Sequence, residues 1–164
     1  SIIESGGLSL NPSEKKLDDI VENILQLYRP ATRTKNIDLE FYTEGLEEPV
    51  LIDSDKFEQV IGNLLSNAIK YTKPGGWVKL SLIRKSNTLE LKVIDSGIGM
   101  SNEETKNLLK NKSKLPGSKG TSGEKSSGIG FDIVKHIIGL FEGDIQVEST
   151  EGKGTTFSVE IPVH

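Results

Sequence analysis

Asn63 and Asn67 stand four residues apart in the stretch "GNLLSNAIKYT" (62–72), inside what reads as a helix. Asparagine is worse than alanine in a helix by about 0.6 kcal/mol, so two of them one turn apart call for a reason. Carboxamides at i and i+4 share a face and can present their oxygens to one metal ion. Lys70, a further turn on, can reach a phosphate. Carbonyl and water ligands suit Mg²⁺, which keeps several waters and relies on the phosphates of its substrate. The same pattern fits a plainly solvated face, because Gln59, Asn63, Ser66, Asn67 and Lys70 all lie opposite the helix's apolar stripe.

A second group sits at a strand end. In "TLELKVID" (88–95) the residues Leu89, Leu91 and Val93 share one face, and Asp95 continues it. A carboxylate aimed toward a core needs donors. Ser96-Gly97-Ile98-Gly99 follows, where the backbone can turn tightly and let a ligand approach; an Asp capping this turn is the alternative. In "TTFSVEIP" (155–162) Thr155 likewise extends the face of Phe157, Val159 and Ile161. Two polar groups ending two apolar rows can line one pocket and read a planar base. A third group, "SSGIGF" (126–131), opens a helix. Gly128 and Gly130, flanking Ile129, allow backbone N–H groups to face an anion at the helix N-terminus. A G-x-G this short is a weak signal, and the six-residue dinucleotide fingerprint is absent.

The elements that must position these groups follow from periodicity. Leu17, Ile20, Val21, Ile24, Leu25 and Tyr28 recur at helical spacing, with Ser13 as a candidate cap and Pro30 as a candidate kink. Short strands are expected at 37–42 and 50–53. A helix from about Ser54 or Asp55 carries the wide stripe Phe57, Val60, Ile61, Leu64, Leu65, Ala68 and Ile69. A hairpin is expected over 77–84 and 88–95, a helix over about 129–141, and closing strands at 144–150 and 155–162 joined by "EGKG". Between Ser96 and Ser127 runs a Gly-, Ser- and Lys-rich segment with room for a short helix near 102–110. Segments this long are functional or mobile. The order points to a layered α/β sandwich with a mixed, mostly antiparallel sheet, not a regular βαβ alternation.

Composition narrows the class. A chain of 164 residues suits one core, and a net charge of −4 argues against broad nucleic-acid binding. With no cysteine there is neither a disulfide nor a thiolate metal site. No apolar run approaches the roughly 20 residues that span a bilayer.

Taken together, "NLLSNAIKYT", "DSGIGM" and "EKSSGIGFDIVKHIIGLFEGDIQVESTEGKGTTFSVEIP" resemble the catalytic ATP-binding domain of bacterial sensor histidine kinases. That superfamily, the Bergerat-fold ATPases and kinases, also holds the ATPase subunits of type II topoisomerases and Hsp90. The likeness covers about residues 15–163. It implies a two-layer α/β sandwich, with the sheet packed on three helices and ATP with Mg²⁺ held under a mobile lid at about 96–127. The resemblance implies that Asn63 and Asn67 hold Mg²⁺ and the phosphates, with Lys70 and Tyr71 as further nucleotide contacts. Asp95 then accepts from the adenine amino group, with Gly97 and Gly99 beside it. Gly128, Ile129 and Gly130 lie under the phosphates, and Thr155 helps hold adenine through water.

Residues 1–12 are then expected to be the remnant of an upstream linker, and 13–164 the catalytic domain. The two histidines, His136 and His164, look inert, so the phospho-acceptor histidine is expected on a helical dimerisation domain before Ser1. A response-regulator receiver domain is the implied further partner, in the cytoplasm, without membrane contact by this domain. Three functions compete: phosphotransfer to histidine, an ATPase switch, and a nucleotide-binding interaction module without transferase activity. The topoisomerase-type relatives carry a Glu where Asn63 stands. An amide cannot serve as a general base, which favours phosphotransfer over water attack. Ser126 stands where a first glycine is often found, and "NLLKNKSKLPGSKG" lacks the Phe-rich, Arg-bearing lid of many members.

Overall fold

The structure, a computed structural model, describes residues 9–110 and 130–163. Its central sheet has five strands. β4 (Trp77–Arg84), β5 (Thr88–Asp95) and β7 (Gly154–Pro162) form the middle, with β2 (Asp38–Glu44) at one edge and β6 (Asp144–Thr150) at the other. The order is β2-β4-β5-β7-β6; only β2 and β4 run parallel. Register stacks the apolar rows, Leu80 against Val93 and Val93 against Phe157, then Leu82 against Leu91 and Leu91 against Val159. All these residues are buried. The intervening positions, Glu90, Lys92, Ser158 and Glu160, carry the polar face, the alternation expected of a sheet covered on one side.

Helices cover the apolar face. α1 (Leu17–Lys35) contributes Leu17, Ile20, Val21 and Ile24, and α2 (Ser54–Tyr71) contributes Phe57, Val60, Ile61, Leu64, Leu65, Ala68 and Ile69. α4 (Gly130–Leu140) adds Phe131, Val134, Ile137 and Ile138. These side chains and the strand rows form one cluster, the expected α/β sandwich. α2 also supplies the crossover that a parallel β2–β4 pair requires. It begins where Asp53 accepts the Lys56 N–H, and a second Asp53 oxygen takes the Asn11 N–H.

Several local expectations change. Ser13 does not cap α1. It lies in a short strand, β1 (Ser13–Lys15), paired antiparallel with β3 (Val50–Ile52) in a separate two-stranded sheet. Its backbone is spent on that ladder, and α1 starts behind Lys16 without a side-chain cap, its first turn carrying Asp18 and Asp19. Pro30 lies inside α1, which runs on past it. Thr32 beyond it is buried, and the helix closes at Asn36 in the left-handed region (φ 58°).

The segment after β5 holds a fourth helix, α3 (Asn102–Leu109), where sequence periodicity is thin. Ser101 and Glu104 form a reciprocal capping box: the Ser101 hydroxyl accepts the Glu104 N–H, and the Glu104 carboxylate accepts the Ser101 N–H. Leu108 is 1% exposed. Lys135 of α4 donates to the carbonyls of Leu108 and Lys110. The first part of the expected lid, through Lys110, is thus a packed element; its remainder, with Gly128 and Ile129, falls outside the described residues.

Leu108→Ala should therefore free α3 selectively. A buried Leu→Ala change costs roughly 2–5 kcal/mol, more than a two-turn helix on one apolar anchor can absorb. Hydrogen exchange should show protection lost over 102–109 and kept in α2. Unchanged α3 protection would show that the capping box and Lys135 hold it without Leu108.

Candidate functional site

Asp95 ends β5 on the buried row, opposite Thr155 of β7. It is 7% exposed. Its Oδ1 accepts two backbone N–H groups, from Gly97 at 2.8 Å and Thr155 at 3.3 Å. Among the described residues nothing donates to Oδ2. No side-chain polar atom sealed from solvent lacks a partner there, so Oδ2 faces an opening. Burial pushes the carboxyl up to about 6, while the Gly97 and Thr155 N–H groups pull the other way.

That opening is a shallow cleft, continuous with solvent. Ala68, Ile98, Met100 and Phe157 give it apolar walls; Asn67, Tyr71, Asp95, Glu104 and Thr155 place polar groups around them, with Gly99 at the margin. An apolar slot with a few convergent polar groups is the usual form of a small-molecule site. It fits a flat heterocycle whose donor meets Oδ2.

The loop after β5 is built to let this happen. A Cβ on Gly97 would stand 2.5 Å from the Tyr71 carbonyl and 2.7 Å from Asp95 Oδ1, so any side chain there would displace the bond that holds the carboxylate. Gly99 has φ +71°, and a Cβ on it would collide with the Thr150 carbonyl. Ile98 donates its N–H to the Tyr71 carbonyl and accepts from Gly152, tying the loop to the end of α2 and to the β6–β7 turn. The end of α2 is itself fixed: Lys35 donates to the Ile69 and Lys70 carbonyls, and Thr72 to that of Ala68.

The two asparagines lie on the wet side of α2, both half-buried. Asn67 lines the cleft. Asn63 gives its NH₂ to the Gln59 carbonyl at 2.9 Å, which leaves Oδ1 turned outward. A Cβ on Gly130, the first residue of α4, would come 3.1 Å from that oxygen. Asn63 therefore stands beside the N-terminus of α4 and Asn67 one turn closer to Asp95. Tyr71 lines the cleft, whereas Lys70, half-buried on the same turn, is not among the residues lining it. Among the described residues no group of three His, Cys, Asp or Glu side chains can cage a metal. A free carboxamide oxygen fits a hard cation that brings most of its ligands with it.

Of the expected residues, the structure gathers Asn67, Tyr71, Asp95, Gly99 and Thr155 around one cleft, places Gly97 beneath it, and sets Asn63 and Gly130 together at one side. His136 is exposed on α4. Glu104 and Ser149 escaped the sequence analysis. Ser149 Oγ lies 2.7 Å from Thr155 Oγ1. Folding β6 onto β7 about the "EGKG" turn pairs 149 with 155.

The family model described as "Histidine kinase-, DNA gyrase B-, and HSP90-like ATPase" matches residues 52–164. α1 shares the core with α2, so the folded unit begins before that span. Sensor protein EvgS of Escherichia coli K12 is 34% identical over 98% of the chain, and the circadian input-output histidine kinase CikA of Synechocystis is 31% identical over 99%. The chain spans only 14% of the first and 22% of the second. Among solved structures, the catalytic domain of histidine kinase ThkA aligns with a TM-score of 0.75 at 27% identity, covering 93% of this chain and 95% of that one. ThkA in complex with the response regulator TrrA aligns at 0.73 and 25% identity, covering 98% of this chain and 45% of that one.

Asp95→Asn should stabilise the ligand-free fold by roughly 1–3 kcal/mol at pH 8, because the raised pKa measures the cost of keeping the charge buried. The sign follows from proton binding. The folded chain holds this proton more tightly than the unfolded one, so the parent loses stability as pH rises from about 4 to about 6, and the loss persists above. Urea unfolding of both proteins from pH 4.5 to 8 checks it. The gap between them should open across that window. A gap independent of pH would mean that Asp95 is solvated.

Proposed function

The chain belongs to the histidine kinase-, DNA gyrase B- and HSP90-like ATPase family and is an ATP-binding catalytic domain of the sensor-kinase kind; we propose that it transfers the γ-phosphoryl of ATP to a histidine on a helical dimerisation and phospho-acceptor domain outside this chain. The observation that carries this is Asp95: Oδ1 is committed to backbone donors and Oδ2 is turned into an apolar slot. Adenine offers an amino donor to such an oxygen. Guanine has a carbonyl in that place and meets it lone pair to lone pair.

From the base, the triphosphate extends along α2 toward Asn67, Asn63 and the start of α4. Helix N-termini favour anions, and Lys70 with Tyr71 adds contacts on the way. Asn63 and Asn67 are the residues that would hold Mg²⁺, whose chemistry is to neutralise charge on the phosphates. Phosphoryl transfer asks a protein mainly for position and electrostatics. The incoming group matters as well. Water must lose a proton to attack, and Asn63 is no base. A neutral imidazole attacks phosphorus with a lone pair it already has, and ADP leaves. The same position would thus select histidine over water as acceptor.

The proposal also covers the surroundings. A receiver domain of a response regulator would take the phosphoryl group onward, in keeping with the ThkA–TrrA complex. No described helix is long and apolar enough to cross a membrane, and we assign the domain to the cytoplasm, where ATP is abundant. Residues 13–164 would be the catalytic unit and 1–12 the end of a linker.

Calorimetry on the isolated chain should show ATP binding that depends on Mg²⁺ and exceeds GTP binding by at least roughly tenfold, the worth of one charge-assisted hydrogen bond. Asn67→Ala should weaken the Mg²⁺-dependent part and leave thermal unfolding near that of the parent, since Asn67 fills no core space. With γ-labelled ATP the chain should stay unlabelled. Equal ATP and GTP affinities would remove Asp95 from the base site, and acid-labile label on His136 would make the chain its own acceptor.

A further inference from the structure

Ser149 lies on the edge strand β6, directly opposite Thr155 in the β6–β7 register. Its single hydroxyl oxygen has three neighbours. It accepts the Met100 N–H at 2.8 Å, reaches the Gly154 carbonyl at 3.1 Å, and lies 2.7 Å from Thr155 Oγ1. A hydroxyl has one proton to give, and the Met100 bond uses a lone pair. Two arrangements remain. If Ser149 donates to the Gly154 carbonyl, Thr155 must donate to Ser149, and Thr155 then shows only lone pairs to the cleft. If Ser149 donates to Thr155, the Thr155 proton is free to point into the cleft.

We propose that Ser149 is a positioning residue for nucleotide-base recognition: it orients the Thr155 hydroxyl in the cleft and ties it to Met100, the residue just before the capping box of α3. This rests on the assignment of the cleft to the adenine base. Among the described residues Ser149 is the one partner of Thr155 Oγ1, so without Ser149 the hydroxyl is free to rotate on a wall where Asp95 is held by two fixed N–H groups. The Met100 link gives the same atom a second role. Met100 follows Gly99 on the cleft margin and leads into Ser101, the N-cap of α3. A base that fixes Thr155 thereby also fixes the acceptor of the Met100 N–H.

The test is a double-mutant cycle on nucleotide binding, using ATP and GTP with excess Mg²⁺. Ser149→Ala should weaken ATP roughly tenfold, leave GTP nearly unchanged, and so narrow the ratio of the two. Thr155→Val, which keeps shape and loses the hydroxyl, should do the same. The double variant should lose no more than Thr155→Val alone, because Ser149 acts through Thr155. Ser149→Thr keeps a hydroxyl on a residue that suits a strand and should retain the ATP preference. Thermal unfolding is followed for every variant, and Ser149→Cys, a weak hydrogen-bonding isostere, replaces Ser149→Ala should the latter not fold. Additive losses, an unchanged ATP affinity, or equal losses for ATP and GTP would overturn the proposal and leave Ser149 a purely structural residue. A parent protein that binds neither nucleotide would instead overturn the assignment of the cleft, which keeps the two failures apart.

Discussion

The structure around the cleft depends on one buried carboxylate being held from one side only. Asp95 ends an apolar strand row, where a charge is strongly disfavoured. Two backbone N–H groups steady Oδ1, one from the loop that follows and one from the neighbouring strand. This requires the loop to fold back within two residues, hence glycine at 97, and then to pass under the Thr150 carbonyl, hence glycine at 99. It also requires β7 to begin level with the end of β5, which places Thr155 beside Asp95. The Gly97–Gly99 loop, the β6–β7 turn and the last turn of α2 are joined through Ile98. Elements distant in sequence thus meet where the carboxylate needs them.

α2 answers to two solvents at once. One side is the most continuous part of the core; the other lines a cleft and stands near the start of α4. Asparagine is a poor choice for such a helix if bulk water is all it meets. It makes sense where an oxygen must be offered without a charge, and Asn63 shows how: its NH₂ is anchored on the preceding turn, so the oxygen is the end left over. The carbonyls at the C-terminal end of α2 are then taken up by Lys35 and Thr72. The turn carrying Tyr71 is thereby tied to α1.

Much of this was legible because strand parity and helical period are strict. Once Leu89, Leu91 and Val93 were placed on one face, Asp95 had to follow them, and Thr155 followed Phe157 in the same way. The wide stripe of α2 fixed which side its asparagines would take. What stayed hidden was set by contacts between elements. β1 is three residues of no apolar pattern that become a strand only because β3 is there to pair with. The short helix expected near 102–110 is α3, but the buried leucine and the α4 lysine that hold it beside its capping box do not show as a period. Ser149 reads as an ordinary edge-strand serine until the register sets it against Thr155.

The distribution of charge along the cleft has its own logic. On the proposed function, the formal negative charge that meets the base is on Asp95, opposite an amino group. At the phosphate end the protein offers neutral amides, Lys70 and the start of a helix, where the backbone dipoles favour an anion. A carboxylate in place of Asn63 would bind a free divalent cation better, yet it would also repel the phosphates and provide a base for water. With amides alone, the protein has little hold on the metal until the nucleotide arrives with its own oxygens. On that reading metal and nucleotide would bind as a pair, and the metal would be held only once the base is correctly seated. The site would thereby check the base at Asp95 before it assembles the charge needed for transfer, with both ends mounted on or beside one helix.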